Sequence, residues 1–225
     1  VGAEGDYLGM ALRIEALDGE NLAYFRHCAA HQFHLQRCAA CDLLRYPATT
    51  GCPWCGRPEA IWTPVEGAGA VYTYAEVHHA IQPAFRAHLP YLILIVELDT
   101  QRGVPGEHDA LRIAGNLVSP DGDLAPPELV AQVGIGTRVR MVFKDVASGL
   151  AVPLWTLDET AAQPAVPWRY PEPDRATAPN PDHTGRTYSK SIREAQAIIR
   201  RHVPDRDRSL VDELIDERRR DAERE

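Results

Sequence analysis

Two cysteine pairs constrain this chain more than any other feature: Cys38-Ala-Ala-Cys41 and Cys52-Pro-Trp-Cys55, with ten residues between them. A C-x2-C pair lets two thiolates from one tight turn reach the same ion, and two such knuckles supply the four ligands of a tetrahedral site. The intervening Asp42 to Gly51 contains Pro47, Thr49, Thr50 and Gly51, which suits a short hairpin between the knuckles. Gly56 follows the second pair directly and is expected to relieve crowding there. Two disulfides would need an oxidising compartment, and a thioredoxin-type redox pair comes singly within a βαβ pattern that is absent here. Structural zinc is the expectation for Cys38, Cys41, Cys52 and Cys55, with iron in the same four-thiolate cage as the alternative. Four protein ligands leave no open coordination position, so such a metal holds the fold and does no chemistry.

Cys28 is the fifth cysteine and lies near His27, His31 and His34. It reads either as a nucleophile with a histidine base, as half of a second metal site with His31, or as a small buried hydrophobe. The pattern favours the last, because Asn21 to Gln32 reads as a helix with Leu22, Phe25 and Ala29 on one face.

The short apolar pieces Phe33, Leu35, Leu43, Leu44, Ile61 and Trp62 flank the knuckles and predict a small core beside the metal, too small to be stable without it. From Val65 the chain turns to runs rich in β-branched and aromatic residues: Ala70 to His78, Tyr91 to Leu98, Ala110 to Val118, Arg138 to Asp145 and Leu150 to Leu157. Five strands is the count of an OB barrel, and a five-stranded meander of another kind gives a similar pattern. Pro126 to Val130 predicts a short helix before the fourth strand. His78 and His79 are neighbours on a predicted strand and so face opposite sides.

Asp158 to Gly185 is proline-rich and without apolar periodicity, which predicts an extended arm. Beyond it, Ile192, Ala195, Ile198 and Ile199, then Leu210, Val211, Leu214 and Ile215, mark two amphipathic helices. Their apolar stripes call for a surface on this chain, on a second copy or on another protein. The expected class is mainly β with flanking helices: an N-terminal segment and helix (1–32), a zinc ribbon (33–64), an OB fold (65–158), a proline-rich arm (159–187) and C-terminal helices (188–225).

Charge narrows the function. Between Val65 and Thr160 there are six basic and twelve acidic residues, and the whole chain carries a net charge of −8. A single-stranded nucleic-acid binder needs a basic groove with stacking aromatics, so no nucleic-acid partner is expected. The longest apolar run, Tyr91 to Val96, is far short of the ~20 residues of a membrane helix, and no basic start followed by an apolar stretch opens the chain. A cytoplasmic location with no membrane partner is the expectation. Val1 in place of an initiator methionine is consistent with a start inside a longer translation product.

The ordered run of Leu35-Gln36-Arg37-Cys38, Cys52-Pro53-Trp54-Cys55-Gly56, Gly67-Ala68-Gly69-Ala70-Val71-Tyr72, Val77-His78-His79, Pro83-Ala84-Phe85, Leu89-Pro90-Tyr91, Val96-Glu97-Leu98 and Gly115-Asn116-Leu117 closely resembles a known family. Its members join a rubredoxin-like zinc ribbon to an acyl-CoA-associated OB fold, and the resemblance covers roughly residues 21–157. It implies a non-catalytic accessory subunit of a thiolase-fold enzyme, a thiolase or a lipid-transfer-protein-like aldolase. A hetero-oligomer such as a heterotetramer and a CoA thioester as ligand of the complex are implied with it. The family's ribbon cysteines carry over to Cys38, Cys41, Cys52 and Cys55, and no catalytic residue carries over. Within Gln82 to Tyr91, Phe85 and Arg86 are candidates to line a groove at a partner's acyl-CoA entrance, Arg86 meeting a phosphate. The alternatives are an independent acyl-CoA-binding protein or, less favoured by the charge balance, a single-stranded nucleic-acid-binding OB protein.

Overall fold

A computed structural model describes residues 2–171 together with residues 193, 197 and 220. The chain divides into two units, Val1–Tyr170 and Pro171–Glu225. The amphipathic helices expected in residues 188–225 lie outside the described residues, apart from helical backbone at Arg193, Ala197 and Arg220.

The first twenty residues, featureless as sequence, open with a hairpin of β1 (Ala3–Tyr7) and β2 (Met10–Ile14) in which Tyr7 faces Met10. Leu8 and Gly9 form its two-residue loop at φ 57° and 87°, so both central residues are left-handed, as a type I′ hairpin turn requires. The Gly9 amide donates to Asp6 Oδ1 at 2.8 Å and fixes the turn. Helix α1 (Gly19–Ala29) starts two residues earlier than its apolar pattern predicts because Asp18 caps it, accepting from the Asn21 amide at 3.2 Å. It ends where His31 turns left-handed at φ 53°.

The ribbon is a three-stranded antiparallel sheet with β3 (His34–Cys38) between β4 (Leu44–Arg45) and β5 (Ala60–Pro64). Its core is not separate. Phe33, Leu35 and Leu44 share one buried cluster with Tyr24 and Cys28 of α1 and with the barrel's own apolar residues. Ile61, expected among them, is 64 % exposed, because alternation along β5 turns it outward.

The barrel strands are β6 (Ala68–Val77), β7 (Tyr91–Leu98), β8 (Arg112–Asn116), β9 (Arg138–Ala147) and β10 (Leu150–Leu157), with α2 (Pro127–Val130) between β8 and β9. Their order is β10-β9-β6-β7-β8, antiparallel throughout, and a parallel bridge between Leu117 and Trp155 joins β8 to β10. That closes the five strands in the manner of an OB fold. Alternation decides the inside: Leu92, Leu94, Val96 and Leu98 are fully buried while Ile93 and Ile95 face out. β6 serves two neighbours, pairing with β7 along its length and with β9 at Ala68–Ala70, and a bulge between Val71 and Thr73 helps it bend. Gly69 sits where β6 crosses β7, and a Cβ there would lie 2.4 Å from the Glu97 carbonyl oxygen.

The strand predicted to run to His78 stops at Val77, so His78 and His79 lie in a bend and not on opposite faces of a sheet. The arm predicted from residue 159 is not free at its start. Trp168 bridges to Ile135, Arg169 donates to the carbonyls of Val130 and Val133 at 2.6 and 2.5 Å, and the Tyr170 amide donates to Tyr74 Oη at 2.9 Å. One backbone bridge and a few isolated hydrogen bonds anchor this stretch, and neither leaves an apolar period in the sequence.

Candidate metal centre and its surroundings

Both knuckles use one backbone scheme. In the first, the Cys38 amide donates to the Leu43 carbonyl at 2.9 Å and the Asp42 amide returns to the Cys38 carbonyl at 3.0 Å. In the second, Cys52 donates to Arg57 at 2.8 Å and Gly56 returns to Cys52 at 2.8 Å. The residue after each pair turns left-handed, Asp42 at φ 63° and Gly56 at φ 75°. Space around Gly56 is open, so glycine serves the φ angle there and crowding plays no part. Asp42 is among the few side chains that tolerate the same angle.

The scheme brings the four sulfurs of Cys38, Cys41, Cys52 and Cys55 within 4.8 Å of one another. The pairs Cys38–Cys55 and Cys41–Cys52 stand 3.6 Å apart, and all four cysteines are free. A tetrahedron with zinc–sulfur bonds of about 2.3 Å has edges of roughly 3.8 Å, so the donors fit such an ion. Backbone amides prepare the charge. The Cys41 and Ala40 amides hold the Cys38 thiol down at about 6. Burial acts upward on Cys52, yet the Trp54 and Cys55 amides bring it below its ordinary value. The Leu43 amide acts downward on Cys41, but desolvation and three neighbouring sulfurs push it up to about 12. One thiolate makes the next harder to form, and a bound divalent cation reverses that penalty.

The cysteine outside this set is structural. Cys28 is fully buried in the main cluster, and burial pushes its thiol up to about 12, the reverse of what a nucleophile needs. His31, the partner considered for it, instead meets Asp145 at 2.9 Å. His27 stacks on His34 with centroids 4.1 Å apart. His78 is exposed and 3.4 Å from Glu76.

Phe85 and Arg86 lie on a 3-10 turn, Pro83–His88. Phe85 packs against Tyr7 and Tyr91 at centroid distances of 5.8 and 5.3 Å and is buried, so packing on the N-terminal hairpin uses the ring that the sequence assigned to a groove. Arg86 is exposed.

Sequence reasoning missed the residues that tie the ribbon in place. Gln101, left-handed at φ 65° in the β7–β8 connection, accepts from the Leu44 amide at 2.6 Å and donates to the Leu44 carbonyl at 3.0 Å. It acts as a one-residue strand beside β4. Arg45 and Gln36 are buried between the ribbon strands, Arg45 Nε donating to Gln36 Oε1 at 2.8 Å. No local pattern marks a lone glutamine or arginine for such a role.

On the barrel's outer face, Ile93 and Ile95 stand between Ala75 and Thr73 of β6 and Asn116 and Ala114 of β8. Tyr72, half exposed at the bulge, carries the Arg112 guanidinium 4.0 Å above its ring. Among the described residues no helix is long and apolar enough to cross a membrane.

Comparison with known proteins agrees with this architecture. Residues 62–144 match the family described as the C-terminal OB-fold domain of ChsH2. A probable enoyl-CoA hydratase alpha subunit of Thermomonospora curvata is 32% identical over 154 residues, covering 68% of this chain and 40% of its own. A DUF35 domain-containing scaffold protein of Methanocaldococcus jannaschii is 33% identical over 111 residues, 49% of this chain and 66% of its own. The chain thus spans less than two thirds of the length of either relative. Among solved structures, a chain of the Ltp2-ChsH2(DUF35) aldolase matches 64% of this chain and 98% of its own, at 28% identity and a TM-score of 0.50. The chain is thus similar to DUF35 proteins, with an OB barrel that matches the C-terminal domain of ChsH2 and four clustered cysteines ahead of it.

Proposed function

We propose that this chain is a non-catalytic accessory subunit of a thiolase-fold enzyme complex that acts on acyl-CoA, as a thiolase or a retro-aldolase, in the cytoplasm. The observation that carries the reading is the match to the Ltp2-ChsH2 aldolase, which takes in 98% of that chain. The scaffold protein of M. jannaschii supports an accessory role, and the hydratase subunit of T. curvata supports acyl-CoA chemistry in the complex. The outward Ile93, Ile95 and Tyr72 supply apolar surface of the kind that partners cover.

In this reading the ribbon and the barrel are distinct parts with distinct tasks. Cys38, Cys41, Cys52 and Cys55 would hold zinc, which locks the two knuckles together and takes no part in the reaction. The barrel presents the docking face. Arg86 reaches the partner's acyl-CoA entrance and meets a phosphate of the CoA moiety, with the 3-10 turn seated on Phe85 as its base.

The decisive experiment is affinity purification of the tagged chain from its native extract, with mass spectrometry and size-exclusion chromatography of the eluate. A stoichiometric thiolase-fold partner in a hetero-oligomer is expected. A clean homo-oligomer would overturn the reading in favour of an independent acyl-CoA protein. Elemental analysis should give about one zinc per chain, and a well-folded sample with substoichiometric metal would remove the zinc. Arg86→Ala should weaken acyl-CoA binding by the complex, and unchanged affinity would remove Arg86.

A further inference from the structure

The ribbon encloses a cation beside its four clustered thiols. Arg45 is 2 % exposed. Its Nη1 donates to the Arg57 carbonyl at 3.4 Å and its Nη2 to the Pro58 carbonyl at 3.2 Å, while Nε takes Gln36 Oε1. The Arg57 carbonyl also receives the Cys52 amide, so the guanidinium shares an acceptor with the bond that closes the second knuckle. Among the described residues, the partners of the guanidinium are all neutral: one amide oxygen and two carbonyls.

Gln36 fixes this placement. Its Oε1 accepts from Arg45 and from the Thr49 amide at 2.9 Å, and its Nε2 donates to Glu20 in the first turn of α1. The amide can point only one way, oxygen toward the cation and nitrogen toward the carboxylate. A single chain of contacts therefore runs from α1 through Gln36 and Arg45 to the second knuckle.

A buried cation is costly unless an opposite charge is near. Four thiolates around a divalent ion leave a net charge of −2, and the guanidinium shares the Arg57 carbonyl with the amide of Cys52, one of the four. We infer that Arg45 is the buried counter-charge of the tetrathiolate centre, held in position by Gln36 and Glu20. The inference rests on the metal-binding reading above. It makes Arg45 a positioning and charge-setting residue that tunes how tightly the four sulfurs hold their ion. Arginine suits the place because its planar fork reaches three acceptors while its charge stays fixed.

The test compares full-length wild type with Arg45→Gln, which keeps amide donors without charge, and Arg45→Lys, which keeps charge without the fork. Zinc affinity is measured at one pH by competition with a chromophoric chelator, and the cobalt(II) form is followed by its sulfur-to-metal charge-transfer band. Arg45→Gln should bind zinc about 10- to 100-fold more weakly, the range typical for removal of an outer partner of a metal site. Its cobalt band should move to lower energy, since the sulfur lone pairs lose a stabilising charge, and Arg45→Lys should remain nearer wild type in both. Equal affinity in wild type and Arg45→Gln overturns the inference. So does equal weakening in both variants with an unmoved band, which would make Arg45 a hydrogen-bond brace alone. Should Arg45→Gln not fold, Glu20→Gln gives the readout: without the carboxylate the Gln36 amide is free to flip and release Arg45, which should move the band to lower energy, and an unmoved band overturns the inference. Wild type that takes up neither zinc nor cobalt fails before any variant is compared and removes the metal reading together with this one.

Discussion

Replacing Gln101 by alanine removes both hydrogen bonds that its amide makes to the Leu44 backbone. The two ends are not equivalent. The Leu44 carbonyl keeps a second donor, Trp54 Nε1 at 3.3 Å, whereas among the described residues the Leu44 amide has Gln101 Oε1 alone. Leu44 is 1 % exposed, so both bonds are shielded from water while Gln101 is in place. An orphaned buried donor costs ~1–3 kcal/mol and the weakened carbonyl adds about 0.5–1 kcal/mol, so Gln101→Ala should destabilise by roughly 2–4 kcal/mol. Backbone strain offers no offset, because alanine at φ 65° meets the same penalty as glutamine. Gln101→Gly loses the same bonds but relieves ~1–2 kcal/mol of left-handed strain, so it should fall between alanine and wild type. Urea denaturation of the metal-loaded protein gives the three stabilities, and hydrogen exchange at the Leu44 amide shows whether protection is lost where the bond was. Gln101→Ala within ~0.5 kcal/mol of wild type, the usual range of an inert surface change, would refute the argument. Equal stabilities of the alanine and glycine variants would refute its strain component.

Three further outcomes follow from the same structure. Gly56→Ala should cost about 1 kcal/mol by forcing a Cβ into the left-handed region, and Asp42→Gly should be neutral or stabilising by less than that, read from urea midpoints; a reversed order would contradict the matched knuckles. Trp155, 1 % exposed at the barrel closure, should cost ~3–5 kcal/mol as Trp155→Ala, and a loss under ~1 kcal/mol would mean that the barrel does not close through it. The Arg138 hydrogen bond holds the Asp99 carboxyl below its ordinary value, which stabilises the fold above the unfolded value of ~3.9 and ceases to do so as pH falls through the folded value. The stability difference between wild type and Arg138→Gln should therefore be constant near neutrality and shrink below about pH 4, and a difference that is the same at both ends would assign it to packing.

How far the fold is legible depends on how each element is held. The strand Tyr91–Leu98 is legible to the residue because an apolar run rich in isoleucine and leucine, broken at Glu97 alone, is bounded by Pro90 before it and Asp99 after it. The cysteine pairs are legible because a four-sulfur cluster of this kind fixes both residue type and spacing. The hairpin at Ala3–Ile14 escaped because its turn places Leu8, not the usual Asn or Asp, at φ 57°. Residues 161–170 escaped because Arg169 and Tyr170 dock by isolated hydrogen bonds that leave no apolar period. Phe85 misled, since an aromatic beside an arginine in a loop looks the same whether it faces a ligand or the core. Arg45 and Gln101 carry no local signal, because their partners come from chain segments 12 and 57 residues away.

Phe33, Leu35 and Leu44 belong to the same buried cluster as Leu94, Val96 and Trp155, so the ribbon and barrel are expected to melt as one cooperative body. Any ion that binds only the folded knuckles then stabilises the distant outer strands by mass action, by about 4.1 kcal/mol at a free concentration a thousand times its Kd. The lifetime of the surface around Ile93 and Ile95 is thereby tied to metal supply, although no metal touches it. On the function proposed above, starving the chain of such an ion would register first as lost assembly with its partner, well before any chemistry in the complex was altered.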